Sequence, residues 1–181
     1  RRRQRQMCIR DSRILGKVAI KEGYDVKVSE VHGMSQRGGS VVTYVKYGDK
    51  VYSPIIDRGE SDLILAFEML EAMRALPYLK KGGKMIANTQ KMNPMPVITG
   101  AMEYPENIEE KLSAKINLQA VDALSLAEKA GTIKAVNVVL IGLLAKSMDV
   151  DKNVWIDVIK ETVPEKFLDV NIKAFELGYE L

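Results

Sequence analysis

Cysteine and histidine are almost missing from these 181 residues: there is one of each, Cys8 and His32. No disulfide can close within the chain, and a cytoplasmic origin is the default. An iron–sulfur cluster usually draws on four thiolates, so the chain holds none by itself. A zinc site of the common type, built from several Cys and His side chains, is also excluded. Long apolar runs are lacking as well. The best of them, Val136 to Leu144, falls short of the roughly 18 residues needed to span a membrane and reads as a buried helix. No apolar stretch follows the N-terminal arginines, so no secretory signal is read there.

What is present is the balance of a globular domain: 46% hydrophobic and 28% charged residues in a chain the size of one ordinary domain. The net charge of +3 is uneven. Residues 1–12, RRRQRQMCIRDS, hold five Arg against one Asp, a net +4, so the rest of the chain carries −1. A basic arm of this kind can serve nucleic acid or membrane. The near-neutral remainder, without interleaved aromatic and basic residues, argues against a nucleic-acid binder. The segment has no apolar period and breaks off where a well-patterned helix begins. It reads as a vector-derived tail, leaving 13–181 as the domain.

From Ser12, a candidate N-cap, Ile14, Leu15, Val18 and Ala19 form an apolar helical stripe that Gly23 ends. Tyr24 to Val31 reads as a strand, followed by a Gly-rich loop from His32 to Gly39. Ser40 to Tyr47 is a second strand. The turn Gly48-Asp49-Lys50 suggests a β-hairpin into Val51-Tyr52-Ser53. Asp62 to Phe67 reads as a central parallel strand buried on both faces. A helix over 68–78, a strand at Lys84 to Asn88, a Pro/Met-rich loop and a short strand near Val97 follow. A helix near 106–114, a strand from Asn117 to Val121 and a helix from Asp122 to Gly131 come next. Helices over 133–147, 151–160 and 164–178 complete the chain. Asp149 or Asp151 caps the middle one, and Trp155 and Phe167 are core. Strand–helix alternation predicts an α/β fold, three-layered and Rossmann-like. Its open sheet is mostly parallel, made mixed by the hairpin, and its C-terminus is helical.

Ligands of such sheets sit beyond the carboxyl ends of the strands. Three loops have that placement. In the first, Gly33, Gly38 and Gly39 allow close backbone approach, and Arg37 offers a fork for a carboxylate or phosphate. Ser35, Gln36 and Ser40 add neutral hydrogen bonds, and His32 can carry a proton near neutral pH. A turn that packs on a partner explains the same residues. No nucleophile or carboxylate adjoins His32, and no residue is singled out as catalytic. Glu68 opens the second loop, where self-capping of its helix is the simpler role. Asn88 opens the third, with the adaptable Met92 and Met95. Asn137, on an apolar helical face, is a buried polar candidate expected to bond backbone.

The run His32-Gly33-Met34-Ser35-Gln36-Arg37-Gly38-Gly39-Ser40-Val41 resembles the gamma domain of the 2-oxoacid:ferredoxin oxidoreductases. The resemblance is narrowest to the free-standing small (beta) subunit of the indolepyruvate branch. Asp62 to Glu68 with Leu70-Glu71-Ala72, and Ala135 to Gly142, are supporting matches, and together they cover about residues 13–181. The resemblance implies a subunit that is not catalytic alone. A large alpha subunit would carry thiamine diphosphate, Mg and the iron–sulfur clusters. It would decarboxylate an aryl 2-oxoacid, pass the acyl group to coenzyme A and send electrons to ferredoxin. The His32–Ser40 loop would face the composite active site or the subunit interface. Relatives open with a strand and a Gly-x-Gly-Gly-Gln-Gly turn. Here Cys8-Ile9-Arg10-Asp11-Ser12 stands in that place, so no coenzyme A or nucleotide contact is expected through it. The alternatives are a gamma subunit for another 2-oxoacid, such as pyruvate or a branched-chain one, and a non-redox anion-binding or assembly module.

Overall fold

The computed structural model describes residues 2–32 and 41–181, with side chains for 11–31 and 41–181. They form two compact units: one contains residues up to 32, 41–56 and 124–181, the other 57–123.

In the first unit, helix α1 (Arg2–Lys21) runs through Ser12, which is inside the helix and not at its N-cap. Its stripe buries Ile14, Val18 and Ala19, and Gly23, at φ +87°, takes the left-handed conformation that stops it. Strands β1 (Asp25–His32) and β2 (Val41–Gly48) pair antiparallel in register from Asp25–Gly48 to His32–Val41. The hairpin therefore joins β1 to β2, not β2 to Val51–Ser53. The Val51 amide is instead taken by the Asp25 carboxylate at 2.9 Å, which ends ladder pairing beyond Gly48. This bond, and then Lys27, hold the Asp25 carboxyl below its ordinary range.

The C-terminal part of this unit is helical, as expected: α5 (Ala123–Ala130, reached directly from the other unit), α6 (Val136–Lys146), α7 (Lys152–Thr162) and α8 (Leu168–Tyr179). Asp151 caps α7 by accepting from the Asn153 amide at 2.7 Å. Helix α6 is buried almost all round, from Val136 to Ala145. It packs on α8 so closely that a Cβ on Gly142 would lie 2.2 Å from the Phe175 carbonyl oxygen, and one on Gly178 2.0 Å from that of Val139. Trp155 and Phe175 are fully buried, each contributing about 1.5–3 kcal/mol. Phe167 is 45% exposed and is not core.

The second unit is a three-stranded parallel sheet in the order β3 (Ser61–Ala66), β4 (Leu79–Asn88), β5 (Asn117–Val121). Strand β4, not β3, is central, and Met85, Ile86 and Ala87 on it are fully buried. Helices α2 (Met69–Ala75) and α4 (Ile108–Ser113) cover one core of Ala66, Met69, Ala72, Met85, Ile108 and Leu112. The segment near Val97 is a helical turn, α3 (Met95–Ile98), and not a strand. Pro96 sets φ for the first turn of a helix, and the Thr99 hydroxyl bonds the Met95 carbonyl at 3.0 Å. The α/β class, the parallel sheet, the antiparallel hairpin and the helical C-terminus are as expected. The hairpin forms a two-stranded sheet of its own. No described helix is long and apolar enough to cross a membrane.

Candidate functional site

Strands β3 and β4 both deliver a polar side chain just where their ladder ends, because parallel strands stop in register and the chain must then turn. Ala66 pairs with Ala87. Two residues after Ala66 comes Glu68, and one after Ala87 comes Asn88. Both are buried, at 2% and 0% exposure.

Glu68 is the hub. One carboxylate oxygen accepts from the Glu71 amide at 3.0 Å, capping α2 as the sequence suggests. The other accepts from the Met92 amide at 3.2 Å and from the Tyr104 hydroxyl. A buried carboxylate with three donors is well compensated. It ties the start of α2 to both ends of the Pro/Met-rich segment. Burial first, and then the Glu68 hydrogen bond and charge, push the Tyr104 phenol well above its ordinary value. Asn88 donates to the Phe67 carbonyl at 3.3 Å and accepts from the Ala123 amide at 3.2 Å, fixing the end of β3 and the first residue of α5.

Beside this clamp lies an open pocket of about 500 Å³ lined by Met69, Thr89, Lys91, Pro105, Asn107 and Glu110, among others. The Lys91 ammonium stands 5.8 Å from the centre of the Tyr104 ring. Asn107 takes a left-handed backbone, φ 56°, which Asn tolerates better than most side chains. The pocket carries both signs of charge, from Lys91, Glu109 and Glu110, and two hydroxyl residues, Thr89 and Ser113. Its chemistry is hydrogen bonding and positioning. Among the described residues no group of three His, Cys, Asp or Glu is placed to hold a metal ion.

Glu68 and Asn88 thus meet in one place, together with Tyr104, which the sequence reading missed. Asn137 stands elsewhere, in the other unit. It donates to the Asp11 carboxylate at 2.7 Å and not to backbone. Both residues are buried, so Asp11, read from sequence as part of the tail, lies in the interior of that unit. His32 ends β1 opposite Val41. Its side chain, and all of Gly33, Ser35, Gln36, Arg37, Gly38, Gly39 and Ser40, lie outside the described residues.

The family model described as pyruvate ferredoxin/flavodoxin oxidoreductase matches residues 10–181. The "Indolepyruvate oxidoreductase subunit IorB" of Thermococcus kodakarensis is 43% identical, over 91% of this chain and 85% of its own. The "Ketoisovalerate oxidoreductase subunit VorA" of Methanothermobacter marburgensis is 27% identical. That match covers 91% of this chain but 32% of the longer relative. The keto/oxoacid ferredoxin oxidoreductase gamma subunit of Geobacter sulfurreducens has the same fold, with a TM-score of 0.68, 23% identity, and coverage of 94% of this chain and 88% of its own.

Proposed function

We propose a function from one premise: the chain belongs to the pyruvate ferredoxin/flavodoxin oxidoreductase family. It is the small subunit of a 2-oxoacid:ferredoxin oxidoreductase, an enzyme component that is not catalytic alone, and indolepyruvate or a similar aryl 2-oxoacid is the substrate. The observation that carries the reading is the near full-length match, in both chains, to a subunit named for indolepyruvate. In the assembled cytoplasmic enzyme the 2-oxoacid loses carbon dioxide, its acyl group goes to coenzyme A, and the electrons pass to ferredoxin. Thiamine diphosphate, Mg and the iron–sulfur clusters are assigned to the larger subunit, because one cysteine cannot ligate a cluster.

Within residues 13–181 two parts of this chain serve the assembled site. The His32–Ser40 loop contacts ligand or partner, with Arg37 as its cation. Glu68 and Asn88 hold the loops beyond β3 and β4 in place. Co-expression with the larger subunit tests this. Ferredoxin reduction dependent on indolepyruvate and coenzyme A should require the small subunit, and Arg37→Ala should lower it by about tenfold or more with the subunit still folded. Turnover equal with and without this chain refutes the reading in favour of an assembly module. Preference for pyruvate or a branched-chain oxoacid corrects the substrate alone.

A further inference from the structure

The segment after β4 exposes apolar side chains in a cluster. Met92, Met95, Ile98 and Met102 are 39%, 41%, 62% and 65% exposed, and no charged residue occurs from Met92 to Met102. The segment is held in shape. At one end the Met92 amide, and just past the other the Tyr104 hydroxyl, bond the buried Glu68. Between them the Ala101 and Met102 amides both return to the Pro96 carbonyl, at 2.9 and 3.1 Å. An ordered apolar platform binds with less entropic loss than a loose one, and methionine adapts to the surface it meets. The largest exposed apolar patch on a domain is often a functional one, marking an interaction site. A stable interface covers about 800 Å² per partner, so the platform is the apolar centre of a wider footprint.

The occupant follows from the longer relative. In VorA the matching stretch is about a third of one polypeptide, so in that relative the matching stretch is joined to a larger remainder. The small-subunit reading proposed above gives this chain a larger partner subunit, and an exposed apolar platform is the kind of surface such a partner covers. We propose that the Met92–Met102 platform, fastened by Glu68 and Tyr104, is the docking face for the larger subunit. The proposal rests on the function proposed above and names a surface that reading leaves open.

The test is the affinity of the purified small subunit for the tagged larger subunit, with size-exclusion chromatography of the small subunit alone. Ile98→Glu with Met102→Glu should weaken binding by about 100-fold or more. Tyr52→Glu, at a position 84% exposed in the other unit, should leave it unchanged. If the double variant melts early, Met95→Ala with Met102→Ala replaces it, with about a tenfold loss expected. Wild type that fails to bind refutes the function proposed above. Wild type that binds while the platform variants bind within twofold overturns the docking face alone. So does an equal loss in Tyr52→Glu, or a small-subunit dimer that the platform variants dissolve.

Discussion

Tyr104 reaches Glu68 across 36 positions of sequence, and no local pattern announces such a bond. The cap that Glu68 gives α2 lies within three residues of it, and so was legible. Asn88 was legible as a polar residue ending a strand, but not what it holds. The Tyr104 hydroxyl has a consequence at high pH. Its folded-state pKa is raised, so its stabilising effect is complete below the ordinary tyrosine value of about 10 and declines as pH rises above it. Tyr104→Phe should cost about 1.5 kcal/mol at neutral pH. The gap between variant and wild type should shrink above about pH 10. Urea melts across that range decide it, and a gap independent of pH would show that the phenol makes no bond to the carboxylate.

At the scale of elements, the parallel strands and C-terminal helices were readable because their residues carry the pattern of their own burial. The hairpin was not. Gly48-Asp49-Lys50 has the composition of a tight turn, yet β2 is satisfied by eight residue pairs with β1. The contact of α6 with α8 is equally hidden, since glycine in a sequence does not say which backbone approaches it. With a Cβ on Gly178 only 2.0 Å from the Val139 oxygen, Gly178→Ala should destabilise by about 3 kcal/mol. An unshifted urea midpoint would mean the helices move apart freely. Helices α1 and α7 are joined on their outer faces by Lys21 and Glu161 at 2.6 Å. That hydrogen bond holds the Glu161 carboxyl below its ordinary value. Its contribution is therefore present at neutral pH and lost as pH falls through the folded-state value. Glu161→Gln should be less stable than wild type near neutrality and equal to it in strong acid. Thermal melts at both extremes test this.

For the molecule as a whole, class and family were legible from the loop at 32–41 and the strand–helix order. The division into two units was not, because the sequence shows one continuous alternation. The unit holding α1 is discontinuous: the buried Asp11–Asn137 bond joins residues 126 positions apart. Asn137→Ala should cost about 2 kcal/mol by removing a donor from a buried carboxylate. In an Asp11→Ala background the same change should cost much less, a coupling that a double-mutant cycle measures. The discontinuity also sets an order of events on the ribosome, where the chain emerges from its N-terminus at about 5–20 residues per second. All of residues 57–123 precede α6, α7 and α8. The inserted sheet can therefore close while α1, already covered on one side by the β1–β2 hairpin, still waits for α7 on the other. A chaperone that reads exposed hydrophobic surface would find the α7-facing side of α1 open until α7 has been made.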